Sequence, residues 1–201
     1  RAIVAQVPAV RTVLLVEPGR MDASAVGING WLTTQSDRLA LPYPNVDTLS
    51  MLMYTSGTTA RPKGVMFTHG NELFASHGIA NAFAYTRNER LLHYFPLYHV
   101  NGGLALLGPV ILRSATLVMQ PKFSASQFSR TLVEHGITMA AMNATHVKML
   151  LAQPPGPHDA AHGVYRAQFA LPLDLERREA FSARFGGITL VEAYGLTEGM
   201  G

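Results

Sequence analysis

The sequence predicts an α/β fold, a layered and mostly parallel sheet flanked by helices on both faces. Short apolar runs alternate with helix-length segments along most of the chain. For example, the apolar run 137–142 is followed by the helix-length segment 145–153. The apolar runs are continuous rather than alternating, which is typical of strands that are buried on both sides. Hydrophobic residues make up 48% of the chain and charged residues 14%, so the chain can bury a sizeable core.

The first part of the chain predicts three strands, a long crossing and a helix. Residues 12–16 are a β-branched run and predict a strand. Residues 18–45 are rich in Gly, Pro and Ser and predict a surface crossing. The apolar runs 49–54 and 65–67 predict two further strands, and Asn71 is the predicted N-cap of the helix that follows.

The middle of the chain predicts two strands and two helices. Residues 91–95 read as a strand, and residues 103–112 as a buried helix. Residues 115–119 are the next predicted strand. Ser124 or Ser126 is the predicted cap of the helix that follows, because both are good N-cap residues.

The last part of the chain continues the alternation. Residues 137–142 predict a strand and residues 145–153 a helix, which the run Pro-Pro-Gly-Pro ends. A short strand at 168–171, a helix at 173–185 and a strand at 188–194 follow.

Composition and charge exclude several function classes. The net charge is +3 and the basic residues are scattered, so no nucleic-acid partner is expected. The chain has no cysteine, which excludes a disulfide scaffold, a thiolate nucleophile and a Cys-ligated zinc. Residues 91–112 carry no Lys, Arg, Asp or Glu, but prolines, glycines and histidines interrupt them, so no transmembrane segment is predicted. No signal peptide is visible, and we expect a cytoplasmic protein.

The strongest local signal is a loop suited to binding phosphate. Residues 54–64 read Tyr-Thr-Ser-Gly-Thr-Thr-Ala-Arg-Pro-Lys-Gly. Hydroxyls and free backbone N–H groups donate to phosphate oxygens, and Lys63 adds a point charge. The loop is not a Walker loop, because Pro62 replaces its second glycine and Gly64 its metal-binding hydroxyl.

Three polar loops follow predicted strands and predict a single site. They are residues 54–64, 94–103 and 194–199. Ligands in parallel sheets bind where the carboxyl ends of the strands meet, so we expect the three loops to lie together.

These loops resemble three motifs of the AMP-forming adenylating enzymes, the family of acyl-CoA synthetases, nonribosomal-peptide adenylation domains and luciferases. Residues 54–64 resemble its Tyr-Thr-Ser-Gly-Thr-Thr-x-x-Pro-Lys-Gly signature, residues 95–99 its Pro-x-x-His segment, and residues 194–198 its Tyr-Gly-x-Thr-Glu segment. The resemblance covers nearly the whole chain. It implies part of the large N-terminal domain of the adenylate-forming fold, and an enzyme that uses ATP to join a carboxylic acid to coenzyme A.

The chain is expected to be an internal piece of such an enzyme. It begins with Arg1 rather than Met and stops at Gly201, a few residues after the third motif. Residues 1–201 are then a fragment of the N-terminal AMP-binding domain without the C-terminal domain, and alone are expected to be nearly inactive.

The resemblance gives each polar residue of the first motif a role. The loop is expected to hold the β- and γ-phosphates of ATP, which leave as pyrophosphate. Its expected binding residues are Thr55, Ser56, Gly57, Thr58, Thr59 and Lys63. Lys63 is also a candidate catalytic residue, since its charge would neutralise the departing group.

The third motif completes the implied nucleotide site. Glu198 is the expected Mg²⁺ ligand, with Thr55 as a second contact. Thr197 is expected to reach the α-phosphate, and Tyr194 and Gly195 are expected to contact the nucleotide, with the tyrosine ring against adenine. We expect Thr197 and Glu198 to act in catalysis.

Two residues are candidates for contact with the acid. By resemblance, His99 lies between the acyl pocket and the α-phosphate, where it acts both in binding and in catalysis. Glu192 is a carboxylate on a mostly apolar strand and is expected on the same face as Tyr194. It is a candidate for holding a cationic acid, and the alternative is that it pairs with a nearby arginine or reaches solvent.

Within the family, the sequence is most similar to the crotonobetaine/carnitine–CoA ligases. The likeness rests on the run Thr-x-Arg-Pro-Lys-Gly-Val, on residues 153–155, and on the stretch 169–173 that precedes residues 179–181. Most relatives have a Gly-rich turn along the adenine where this chain has residues 168–171, and a glycine in place of Ala60. The likeness implies a carnitine- or crotonobetaine-like acid.

Three alternatives stay open for the function. One is a nonribosomal-peptide-type adenylation domain, which passes its product to a carrier protein. Another is a fatty-acyl or aryl-CoA ligase with the same chemistry and a different pocket. The third is an inactive nucleotide-binding homologue, suggested by Ala60 and the missing Gly-rich turn.

Overall fold

A computed structural model describes residues 13–15, 25–36, 43–55 and 61–199, and the chain divides into two units, Arg1–Tyr43 and Pro44–Gly201. In the first unit, β1 (Val13–Leu15) pairs in parallel with β2 (Ala25–Gly27), and α1 (Ile28–Leu32) follows. The predicted first strand is confirmed where it is described. The predicted surface crossing at residues 18–45 is wrong in part, because a strand and a helix lie within it.

The second unit begins with an antiparallel hairpin, β3 (Leu49–Thr55) and β4 (Lys63–Thr68). Its side chains alternate between two environments, as the twofold period of a strand requires. Met53 and Phe67 are buried, whereas Leu52 and Met66 are exposed. The hairpin forms its own two-stranded sheet and gives the mostly parallel fold one antiparallel pair.

The main sheet has five parallel strands in the order β6-β5-β7-β8-β9. They are β5 (Arg90–His93), β6 (Thr116–Met119), β7 (Met139–Asn143), β8 (Arg166–Ala170) and β9 (Thr189–Glu192). The predicted α/β class with a mostly parallel sheet is confirmed. The continuous apolar runs have the expected cause, since successive residues of β5 and β7 are buried on opposite faces.

Helices cover both faces of this sheet. On one face lie α2 (His69–Ala82), the π-helix Asn101–Leu107 and α3 (Gly108–Arg113). On the other lie α4 (Phe128–Glu134), α5 (Ala144–Leu151) and α6 (Leu175–Arg184). Within the described residues, no helix is both long and apolar enough to cross a membrane.

Two predicted helix caps are wrong. Thr68, not Asn71, is the N-cap of α2, and Asn71 closes the capping box from the third helical position. Gln127 precedes α4 without a side-chain cap. Ser124 and Ser126 lie in the turn before it, where their hydroxyls are 3.4 Å apart.

A buried carboxylate, Glu89, joins three strands at their amino ends. Thr138 Oγ1 donates to Glu89 Oε2 at 2.6 Å, and Tyr165 Oη donates to Oε1 at 2.9 Å. Arg166 Nη2 lies 3.7 Å from Oε1, and Thr86 Oγ1 donates to the same oxygen. Because a buried charge is costly unless it is paired and hydrogen-bonded, this arrangement stabilises the sheet only while it is complete.

We predict that Glu89→Ala lowers the free energy of unfolding of the full-length protein by about 3 kcal/mol, because it leaves the half-buried Arg166 without its carboxylate. Glu134→Ala is the matched control. Glu134 makes an exposed ion pair with Arg130, and its loss is expected to cost about 0.5 kcal/mol or less. Urea titration measures both, and equal small losses would contradict the prediction.

Candidate functional site

One hydrogen bond joins the first and third predicted loops. Thr55 Oγ1 donates to Glu198 Oε1 at 3.4 Å, although the two residues are 143 positions apart in the sequence. Thr55 is the last residue of β3, and Glu198 lies in the 3₁₀ turn Thr197–Gly199 that follows β9. The loop end of the hairpin, where β3 ends and β4 begins, therefore lies at the carboxyl edge of the main sheet, as predicted for a ligand site.

Lys63 faces Thr55 across the hairpin. The two residues are cross-strand partners, and Lys63 is exposed. The ring of Tyr54 packs over Gly64, where an added Cβ would lie 3.5 Å from the ring. The other predicted phosphate-binding residues of this loop lie outside the described residues. They are Ser56, Gly57, Thr58 and Thr59.

The second loop follows β5 and places His99 beside the hairpin. His99 is exposed, and its backbone N–H donates to Pro96 O at 3.1 Å. Its Nδ1 accepts from the backbone N–H of Asn101 at 3.1 Å. The π-helix that follows packs on the hairpin through Leu104, which shares a buried cluster with Met53. All three predicted loops are thus brought to one end of the second unit.

The predicted nucleotide contacts are open to solvent. Tyr194 is 90% exposed, and Gly195 is exposed as well. Thr197 is half-buried at the start of the 3₁₀ turn. An exposed tyrosine ring beside a polar turn is free to stack on a planar ligand.

Glu198 suits a magnesium–phosphate complex better than a preformed metal cage. Its carboxylate is exposed, and within residues 43–55 and 61–199 no lysine, arginine or histidine lies within ion-pair distance of it. No group of three or more His, Asp or Glu side chains in the described part of the chain could hold a metal ion. Mg²⁺ commonly takes one or two carboxylates and completes its shell with phosphate oxygens and water, so Glu198 and Thr55 fit this ion.

The family model of the AMP-binding enzymes matches residues 1–201. The chain belongs to the AMP-binding enzyme family. Sulfoacetate–CoA ligase of Cupriavidus necator is 37% identical over 159 residues, which are 79% of this chain and 31% of that protein. Crotonobetaine/carnitine–CoA ligase of Salmonella paratyphi B is 31% identical over 157 residues, which are 78% of this chain and 30% of that protein.

The fold of this AMP-binding chain is that of a solved N-terminal domain. The inhibitor-bound N-terminal domain of FACL13 from Mycobacterium tuberculosis superposes with a TM-score of 0.79 at 23% identity, over 90% of this chain and 47% of that chain. The predicted adenylate-forming N-terminal fold is confirmed. This chain spans less than a third of the length of the two CoA ligases.

Glu192 has a partner in this AMP-binding chain. Arg178 Nη2 donates to Glu192 Oε2 at 2.7 Å, and Arg178 Nε donates to Leu173 O. The Arg178 guanidinium also lies 5.2 Å above the ring of Phe169. The alternative interpretation of Glu192, an ion pair with a nearby arginine, is therefore what the structure contains, and its charge is balanced by α6.

The segment that replaces the family's Gly-rich turn ends in an uncommon backbone conformation. Gln168 is buried within β8 and accepts from Tyr85 Oη at 3.3 Å. Leu171, the first residue after β8, has φ of 73°, in the left-handed region that favours glycine. The backbone thus adopts a glycine-like conformation here without a glycine.

An aromatic cluster around His146, at the start of α5, was not predicted from the sequence. The imidazole lies 4.3 Å from the Phe123 ring and makes edge contacts with Tyr94 and Phe95. Its Nδ1 accepts from the backbone N–H of Asn143, the residue that caps α5. The spacing Asn-x-x-His after an apolar strand is a capping-box pattern and could have revealed it.

Burial lowers the pKa of His146 to about 4. The unfolded chain binds a proton there with a pKa near 6.5, so the unfolded state holds more protons between these two values. We predict that this contribution to stability is fully present above about pH 6.5 and is lost as the pH falls towards about 4.

The variant that tests this is His146→Phe, which keeps a ring in the cluster. The free energy of unfolding of the full-length wild type is expected to fall more steeply between about pH 7 and about pH 4 than that of the variant. Parallel pH profiles would show that His146 is not the group responsible.

Proposed function

We propose that the full-length protein joins a carboxylic acid to coenzyme A at the cost of ATP. The acid's carboxylate attacks the α-phosphorus and pyrophosphate leaves, and the thiol of coenzyme A then attacks the acyl carbon and AMP leaves. The observation that carries the proposal is the Thr55–Glu198 hydrogen bond, which joins the hairpin that we propose to bind phosphate to the turn that follows Tyr194. Family membership and similarity to two CoA ligases support it.

The residues around this bond divide the work of the first step. Lys63 and the loop before it would hold the phosphates that depart. Glu198 and Thr55 would hold Mg²⁺, which when bound neutralises phosphate charge. Thr197 would reach the α-phosphate, and Tyr194 would lie against adenine.

For the acid, we propose a small molecule that carries a second charged group. Sulfoacetate and crotonobetaine, named in the two relatives, share that property with opposite charges. The carnitine- or crotonobetaine-like acid was expected to be held by Glu192, and that role requires Glu192 to leave Arg178. Because Arg178 already balances the charge of Glu192, this residue no longer favours a cationic betaine over an anionic sulfonate as the acid.

We also propose that residues 1–201 belong to the N-terminal domain of a larger cytoplasmic enzyme. The larger size is supported by the relatives, since the chain covers less than a third of the length of each. Activity is then expected only from the full-length protein.

The direct test is acid-dependent release of pyrophosphate by the full-length protein, together with formation of the CoA thioester. The acids are sulfoacetate, carnitine, crotonobetaine, and neutral fatty and aryl acids. Pyrophosphate release without thioester would favour an adenylation domain that serves a carrier protein. No release with any acid would indicate an inactive nucleotide-binding homologue, and a preference for neutral acids would overturn the charged-acid proposal.

We predict that Lys63→Ala lowers the rate of pyrophosphate release by about a hundredfold or more, because it removes a fixed charge from the departing group. Lys63 is exposed, so the free energy of unfolding should change by about 0.5 kcal/mol or less. Lys148→Ala, an exposed lysine on α5, is the matched control. Near-normal release by the Lys63 variant would remove this role.

We predict that Glu198→Gln raises the Mg²⁺ concentration needed for half-maximal activity by about tenfold or more. Glutamine keeps the shape and still accepts from Thr55, but it lacks the charge that attracts the ion. Glu176→Gln, an exposed carboxylate on α6, is the control. A Mg²⁺ titration that does not shift would show that Glu198 is only a surface carboxylate.

A further inference from the structure

We propose that the backbone of Asn101, Gly102 and Gly103 forms a seat for His99. The Asn101 N–H contacts the ring and fixes its proton on Nε2, and the two glycines hold that backbone against the turn of residues 96–99, so that His99 acts as a hydrogen-bond donor to the acid. The three residues are positioning residues. The identity of the group that Nε2–H meets rests on the proposed function, whereas the seat itself rests on contacts within the chain.

A backbone hydrogen bond determines which nitrogen of the His99 ring carries the proton. His99 Nδ1 accepts from the Asn101 N–H at 3.1 Å. A ring nitrogen that accepts a hydrogen bond carries no proton, so the neutral ring carries its proton on Nε2. Nε2 is then a donor, suited to an anionic carboxylate oxygen and to the carbonyl oxygen of an acyl-adenylate.

The seat needs glycine at two successive positions. A Cβ on Gly102 would collide with Pro96 O, the atom that accepts the His99 backbone N–H at 3.1 Å. A Cβ on Gly103 would lie 2.6 Å from Leu97 O. Both obstacles are backbone atoms, which cannot rotate away as a side chain does.

A further backbone hydrogen bond joins the π-helix to His99 itself. The Gly103 N–H donates to His99 O at 2.9 Å, and Gly103 lies within the π-helix Asn101–Leu107. π-Helical segments are rare and frequently occur at functional sites. Here the segment carries the two glycines against the turn of residues 96–99.

The seat orients the His99 ring without burying it. His99 is exposed, so the backbone holds in one orientation a side chain that would otherwise sample several rotamers in solvent. A fixed donor at the mouth of the site loses less entropy when it binds the acid. A general-base role would require an unprotonated Nε2, which this tautomer does not provide.

The tautomer is tested directly by ¹⁵N NMR of the full-length protein with labelled histidine. His99→Asn assigns the His99 signals by their loss. We expect an unprotonated Nδ1 and a protonated Nε2 in the neutral imidazole of the wild type. A protonated Nδ1 would overturn the proposal, whether or not the protein turns out to be a CoA ligase.

The glycines are tested with Gly103→Ala and Gly102→Ala, each compared with Gly78→Ala. Gly78 lies in α2, and an added Cβ there would meet nothing within 4 Å. For a folded variant at 102 or 103 we expect loss of the wild-type ¹⁵N pattern and a rise of about tenfold or more in KM for the acid, with KM for ATP within about twofold. An added Cβ at Gly103 would lie 2.6 Å from its nearest atom, and one at Gly102 would lie closer still. Gly103→Ala therefore disturbs the backbone less and still tests the seat if Gly102→Ala does not fold. An unchanged pattern and unchanged KM in Gly103→Ala would overturn the seat.

Two substitutions of His99 separate its two nitrogens. Glutamine retains a donor near the position of Nε2, and asparagine retains an acceptor near Nδ1. We expect His99→Asn to lose about a hundredfold in pyrophosphate release and His99→Gln about tenfold. The reverse order would overturn the donor role. If the wild type releases no pyrophosphate with any acid, the proposed function fails, and the ¹⁵N pattern still decides the seat.

Discussion

The buried carboxylate of Glu89 is the interaction on which the main sheet depends. It accepts hydrogen bonds from Thr138 and Tyr165 and lies beside Arg166, and so joins the amino ends of β5, β7 and β8. A charge at this depth is tolerated only with a full set of partners, which ties three strands to one relative position. Because parallel strands point the same way, fixing their amino ends also fixes where their carboxyl ends emerge.

The two edges of the sheet consequently differ in character. At the amino edge, the Glu89 carboxylate is hydrogen-bonded and ion-paired to side chains of the neighbouring strands. At the carboxyl edge, Lys63, Tyr194 and Glu198 are exposed, and His99 is held by backbone contacts rather than by burial. The groups that we propose to meet a charged ligand are thus exposed to water, while the sheet beneath them is fixed at its opposite edge.

Much of this could be predicted from the sequence, for a physical reason. The strands of the main sheet are buried on both faces, so each is a continuous apolar run, and residues 137–142 were recognisable as β7. Two of the three polar loops follow β5 and β9 and could be placed together because strand ends in a parallel sheet share an edge. The first loop belongs to an antiparallel hairpin outside that sheet, so this rule does not explain its position. Ser56, Gly57, Thr58 and Thr59, which lie outside the described residues, stay predictions, as do the roles of the other site residues.

Other features could not be predicted, either because two neighbouring residues suit the same role or because the partner residue lies on another element. Thr68 and Asn71 both favour an N-cap and bond to each other, so composition does not decide which one begins α2. Glu192 is paired by Arg178 from α6, a contact that the strand itself does not reveal. A Gly-Gly pair reads as a helix break, whereas at residues 102 and 103 it permits a π-helix to lie against a turn.

The strand order has a consequence for how the chain assembles as it leaves the ribosome. β6 pairs with β5, β7 then joins the other side of β5, and β8 and β9 follow outward in the order of synthesis. Each strand of this sheet after β5 therefore has a partner strand that has already been synthesised. Since domains begin to fold from their amino-terminal side during synthesis, this order limits the time that an apolar strand edge stays uncovered in the nascent protein.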